Sequence, residues 1–451
     1  MGNLQPAHHG YRYQDIATAY MLVRGISERY DELTVDRKHV ADDKIDDLEI
    51  VASGRCVRRQ FKSSQHQDRT LSLNDFTNEK STVRLDLLVR TFVRAGKLAA
   101  DEYRLCATWQ QPSSTDELTA YLRVLAPGEA APTITTWNSV LFQLQADLIW
   151  PEGKECAWVA LRPYATSEPA FTRAHLRAFC DRFIIEVQLP LASKEMRAPG
   201  PLEQALVQQL AEHIGIGRYP NHGRTPVDVA ALAIAVATLA RTQAATITPA
   251  QVERDLNIRT DFGRIAQAFP LEEAFFHNRP TFRRQLQASA LASQPQLLVA
   301  VPGAGKSWEL TRLAEELTAE GAIVARHYCY LEPGDPVVEK RITTNVFFAN
   351  LLAELTDAAP ELFKDEPVRY AADIQALELA LDVAARSGRP VILIVDGLDH
   401  ISRVRADARQ LSDSETDIVE RLATLALPAG ATLLLGSQPG EHLQPLRERW
   451  G

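Results

Sequence analysis

The 451 residues allow about three domains at ~150 residues each, and 45% hydrophobic with 24% charged residues is ordinary for a globular chain with sizeable cores. No apolar run reaches the ~18 residues of a membrane span, and MGNLQPAHHGYRY lacks an apolar signal core, so a cytoplasmic location is expected. A net charge of -9 excludes coating of nucleic acid along the whole length but permits a local basic groove, and five scattered cysteines without a CxxC pair suggest neither a disulfide framework nor a zinc site.

Residues 1–195 read as one α/β domain, with an apolar helix near Tyr13 to Gly25 and strands near Leu48 to Ala52, Val57 to Phe61 and Tyr103 to Thr108. Within DKIDDLEIVASGRCVRRQFKSSQ, Ser53-Gly54 is a plausible two-residue hairpin turn. Ala52 then faces Arg55, Glu49 faces Arg58 and Asp47 faces Gln60. Alternation gathers Asp47, Glu49, Arg58, Gln60 and Lys62 on one face, expected to carry chemistry, and leaves Leu48, Ile50, Val57 and Phe61 on the core face. Asp47 and the adjoining carbonyl can hold a divalent cation, while Lys62 stabilises charge on a scissile phosphate or orients water. Asp46 takes the ligand role if the turn shifts by one residue, and Glu28 can add a carboxylate. Arg55, Arg58, Arg59, Lys62 and Arg69 read equally as phosphate contacts or as a solvated basic face.

The punctuation PLASKEMRAPGP, Pro190 to Pro201, marks a boundary, and residues 196–275 read as a helical connector with a capped start at Thr248-Pro249. Residues 276–451 alternate strands (Leu297 to Val301, Ile323 to Tyr328, Val391 to Val395, Thr432 to Leu435) with helical patterns, which implies a parallel sheet covered on both faces. His327 and Tyr328 read as core.

LLVAVPGAGKSWEL, Leu297 to Leu310, is a strand running through a glycine-rich loop into a helix. After Pro302, backbone N–H groups freed by Gly303, Ala304 and Gly305 can converge on a β-phosphate, aided by the positive end of the following helix. Lys306 reaches the β- and γ-phosphates and Ser307 ligates magnesium. Ala300 stands where the eight-residue pattern usually begins with glycine. PVILIVDGLDH, Pro390 to His400, is a buried strand tipped by Asp396, which would hold magnesium through water, with Asp399 placed to polarise the attacking water. ATLLLGSQPG, Ala431 to Gly440, brings Gln438 to a position suited to sensing a γ-phosphate.

AVPGAGKS, ARHYCYLEPGD, FFANLLAEL, LIVDGLDH and LLLGSQPG together resemble the STAND (NACHT-like) NTPases of bacteria, from residue 276 onward. That resemblance implies ATP and Mg2+ as cofactors on Lys306, Ser307, Asp396 and Asp399, and a switch in which ATP binding drives homo-oligomerisation, with a tetramer as the candidate assembly. Gln438 stands in the Arg position of the family's Ser-Arg-Pro. The chain stops at Gly451, before the winged-helix and sensor regions such proteins carry, so the resemblance implies a triggering protein, of phage origin, read by a region outside this chain. The Asp47…Gln60-x-Lys62 pattern, with GYRYQ (Gly10 to Gln14), resembles PD-(D/E)xK nucleases in their QxK form, as in CBASS effectors and antiviral STAND (Avs) proteins, over roughly the first 190 residues. The expected fold class is α/β multidomain: a restriction-endonuclease-like domain, a helical connector and a P-loop NTPase. The expected function is antiphage defence by a magnesium-dependent endonuclease acting on double-stranded DNA. An ATP-switched scaffold that binds DNA or protein without cleaving is the alternative.

Overall fold

The computed structural model describes residues 5–450 apart from 65, 67, 97–98, 127, 131–138, 166–171, 194–197, 272–276, 278, 293 and 409. The domain limits expected at 195/196 and 275/276 lie outside the described residues. The chain is α/β and divides into two compact units, residues 1–214 with 224–258 and residues 215–223 with 259–451. The helices Pro201–Gln208, Pro226–Gln243 and Pro249–Asp255, within the stretch read as a connector, belong to the first unit. No described helix is long and apolar enough to cross a membrane.

The first unit is built on a mixed eight-stranded sheet ordered β5-β6-β7-β4-β3-β2-β1-β8. Its strands are β1 (Glu32–Val35), β2 (Leu48–Ala52), β3 (Arg55–Lys62), β4 (Glu102–Ala107), β5 (Leu122–Val124), β6 (Val140–Leu144), β7 (Phe183–Val187) and β8 (Thr246–Ile247). Strands β3, β4 and β7 run parallel, so their C-terminal ends share one edge. Ser53 and Gly54 both have positive φ (50° and 74°), as a tight hairpin turn needs, and the register is the expected one: Ala52 pairs with Arg55 and Glu49 with Arg58. The helix Gln5–Ser27 is buried along nearly its whole length from Tyr13 to Ile26, with Tyr13 edge-on to Phe61 at 6.5 Å. Asp15 ties that helix to Pro226–Gln243 through Arg241 (2.7 Å) and Thr238 (3.0 Å). Leu88 and Val89 of the helix Leu85–Ala95 join Tyr103 and Leu105 in a separate core cluster.

Leu48, Ile50, Val57 and Phe61 are buried, as expected of the core face, and the polar face is covered as well. Asp47, Glu49, Arg58 and Gln60 are only 8%, 7%, 1% and 7% exposed, and Arg59 is buried among paired charges. Arg59 Nη1 lies 3.4 Å from Glu186, which also takes Arg104 at 3.1 Å. Arg58 donates to Asp43 (2.8 Å) and to the Arg37 carbonyl (3.0 Å). Neither arginine is therefore a phosphate contact; both neutralise carboxylates that low dielectric would otherwise make costly. Arg55 and Arg69 remain exposed, Arg69 lying over the Trp109 ring at 3.9 Å and bonded to Asp75.

The second unit carries an all-parallel four-stranded sheet ordered β10-β11-β12-β9: β9 (Gln296–Val299), β10 (Ile323–Tyr328), β11 (Val391–Asp396) and β12 (Ala431–Ser437). Every residue of β11 and β12 is buried, the mark of central parallel strands covered on both faces. Leu310, Leu313 and Leu317 of the helix Lys306–Ala319 pack with Ile392, Ile394 and Leu434, while Phe347, Leu351, Leu377 and Leu381 pack with Leu393 and Leu433. His327 and Tyr328 are fully buried, and His327 Nε2 donates to the Arg341 carbonyl at 2.8 Å.

Candidate functional site

In the first unit, residues 36–47 are clamped over β2 and β3. Asp43 accepts Arg58 and also caps the His39 and Ile45 N–H groups, while His39 Nε2 meets Glu49 at 2.6 Å. This clamp delivers Asp46 and Asp47 to the β3 edge. Gln60 bridges them: its Nε2 donates to Asp47 Oδ2 at 2.7 Å and its Oε1 accepts the Asp46 N–H at 3.2 Å. The Phe61 N–H adds a second donor to Asp47 Oδ2 at 2.7 Å. Burial pushes the Asp47 carboxyl up to about 7, against the pull of Lys62 and these two hydrogen bonds. Asp46 is raised by burial and by Asp43, and Lys38 approaches it at 3.8 Å.

Asp47, Gln60 and the half-buried Lys62 thus come together at the C-terminal edge shared by parallel strands, where ligands bind in such sheets. Asp47 Oδ2 is saturated, which leaves Oδ1 as the donor atom for a hard cation. Among the described residues no group of three or more His, Cys, Asp or Glu is placed to hold a metal. Magnesium needs only one or two protein carboxylates, so Asp47, with Asp46 beside it in sequence, suits that ion. Glu28 is engaged elsewhere, bonded to Arg24 (2.5 Å) and Tyr30 (2.8 Å).

In the second unit, the loop 300–305 leaves β9 and opens the helix Lys306–Ala319. Gly303 and Gly305 take the left-handed backbone (φ 73° and 85°) with open space where a Cβ would lie. Only glycine adopts that conformation freely and lets a ligand approach so closely. Lys306 Nζ folds back to the carbonyls of Ala300 (2.9 Å) and Val301 (3.3 Å). Strand β12 lies between β9 and β11, so Asp396, Gly436 and Leu298 form one row across the sheet.

Asp396 is 2% exposed, and its Oδ1 is buried with no hydrogen-bond partner. Burial raises its pKa, while the Ser307 hydroxyl, the Gly397 N–H and Lys306 favour the charged form. An orphaned carboxylate oxygen beside Ser307 and Lys306 fits a magnesium ion, which Asp396 and Ser307 would hold. Asp399 is more committed than the sequence suggests. Its Oδ1 accepts the Gln438 N–H at 3.0 Å and its Oδ2 pairs with Arg403. Gln438 thus reaches this centre through its backbone, and Ser437 Oγ meets His442 Nε2 at 2.8 Å. A groove of about 650 Å³, lined by Leu398, Arg405, Asp417, His442 and Glu448, touches neither Lys306 nor Asp396.

Sequence reasoning passed over His400 and Gly436. A Cβ on Gly436 would overlap Asp396 Oδ1 and stand 2.8 Å from Leu310 Cδ1. Gly436→Ala is therefore expected to displace the Asp396 carboxylate and to lower stability by about 1–3 kcal/mol. Denaturant unfolding and magnesium-dependent nucleotide binding, measured together, check this; wild-type values for both would refute the packing argument. The signal was present in LLLGSQPG, where glycine interrupts a buried apolar strand.

The chain matches no protein-family model, and no curated protein sequence matches it.

Proposed function

We propose that the chain is a nucleotide-switched nuclease of antiphage defence: ATP with magnesium, held at Pro302–Ser307 and Asp396, governs self-assembly, and the first unit hydrolyses double-stranded DNA at Asp47, Gln60 and Lys62. The observation that carries the reading is Asp396, whose buried, unpartnered carboxylate oxygen sits beside Ser307 at the opening of a glycine-rich loop. Structures seldom leave a buried carboxylate oxygen unsatisfied unless something else completes it.

The nuclease half rests on Asp47, Gln60 and Lys62. Gln60 and the Phe61 N–H fix the Asp47 carboxylate in one orientation. A divalent cation on Asp47 would supply Lewis acidity at the scissile phosphate. Lys62 supplies positive charge where the phosphate gains negative charge as water attacks. Exposed Arg55 and Arg69 suit backbone phosphates, which position a duplex without reading its sequence.

The scaffold alternative draws support from one feature: Asp47 is 8% exposed and already accepts two hydrogen bonds. Supercoiled plasmid incubated with magnesium, ATP and the chain separates the two. Conversion to nicked and linear forms is expected, with a loss on the order of 10²–10³-fold in Lys62→Ala. Plasmid that stays intact throughout favours the scaffold, and a Lys62→Ala chain that cuts at the wild-type rate removes the nuclease assignment.

A further inference from the structure

One aromatic pair beside the second-unit site has no task in the reading above. The rings of Tyr330 and His400 stack in parallel, with centroids 4.0 Å apart and planes 7° apart. His400 Nε2 lies 3.6 Å from Asp399 Oδ2, within ion-pair reach but too far for a hydrogen bond. Asp399 is engaged by Arg403 and the Gln438 N–H and so is poorly placed to hold a water itself, while the stack on Tyr330 holds the His400 ring. His400 occupies the first turn of the helix Asp399–Asp407, whose positive end disfavours an imidazolium. Burial lowers its pKa, and Arg403 and Lys306 lower it further, against the raising effect of Asp399. The ring is thus neutral near pH 7, with one nitrogen free to accept a proton.

We propose that His400, held by its stack on Tyr330, orients and deprotonates the water that attacks the γ-phosphate of a nucleoside triphosphate bound at the loop 300–307. The inference rests on the nucleotide reading of that loop. The water oxygen forms a bond to phosphorus while its proton passes to the acceptor nitrogen of His400. The bond from phosphorus to the β,γ-bridging oxygen breaks, and its electron pair stays on the departing diphosphate. His400 then returns the proton to phosphate or solvent. The titratable and charged groups facing the ring are Asp399, Arg403, Lys306 and Tyr330. Hydrolysis accordingly depends on a neutral imidazole whose protonation falls below the ordinary ~6.5.

Single-turnover hydrolysis of γ-labelled ATP by the full chain with magnesium tests this, alongside equilibrium binding of a fluorescent ATP analogue. His400→Ala and His400→Gln are expected to bind within about threefold of wild type and to hydrolyse slower on the order of 10²-fold. The wild-type rate is expected to fall in acid, and the residual rate of the variants to lose that limb. A variant that hydrolyses at the wild-type rate, loses affinity in step with rate or keeps the acid limb overturns the inference. So does a wild type that binds ATP without hydrolysing it. A wild type that binds no nucleotide overturns the reading of the loop instead.

Discussion

Lys306→Ala is expected to weaken ATP binding by about 3 kcal/mol, a loss on the order of 10²-fold in affinity, because it removes charge-assisted hydrogen bonds to the phosphates. The side chain is already parked on the Ala300 and Val301 carbonyls, so the loop spends little ordering entropy when phosphate replaces them. Lys306 also helps Asp396 stay ionised in a buried setting. Its loss therefore raises the Asp396 pKa further and would weaken magnesium binding there. Titration of a fluorescent ATP analogue, with and without magnesium, measures both effects. Wild-type affinity in Lys306→Ala would remove the loop from the nucleotide site.

Asp47→Asn should do two opposite things. Cutting is expected to fall on the order of 10²–10³-fold, since the anionic ligand that recruits the cation is gone. Stability should rise. An unfolded aspartate titrates near ~3.9, whereas burial pushes Asp47 up to about 7, so the folded chain holds an extra proton between those values. The native state loses stability as pH climbs from about 4 to about 7 and levels off above, for a total of roughly 2–4 kcal/mol. Asparagine carries no charge, and its carbonyl oxygen can still accept from both Gln60 and Phe61. Denaturant unfolding in EDTA should show Asp47→Asn more stable than wild type at pH 8, with the gap closing near pH 4. A pH-independent gap, or none, would mean that Asp47 is not held against its own ionisation.

Much of this was legible in the residues. Counting inward from Ser53-Gly54 set the β2–β3 register that the strands adopt, because a two-residue turn leaves no freedom in the pairing. The apolar runs from Val391 and Thr432 marked the two central parallel strands within two residues of their ends, since strands buried on both faces need apolar side chains. What periodicity withheld was the covering of each face. Alternation places Arg58 and Arg59 on opposite sides of β3 but says nothing of Asp43, which folds over one, or of Glu186, far along the chain, which meets the other. Asp399 misled for the same reason: Arg403 is a helical turn away and could be foreseen, whereas the Gln438 N–H arrives from β12 through tertiary folding.

A buried acid raised toward neutrality in one unit and an orphaned carboxylate beside a glycine loop in the other both depart from what stability alone favours. If the two sites are linked, plasmid cleavage at fixed magnesium depends on ATP concentration. Cutting by the wild type is expected to rise over the same ATP range that saturates binding, while Lys306→Ala stays flat at its basal level. Equal cutting with and without ATP, or a Lys306→Ala chain that responds to ATP as the wild type does, would contradict it.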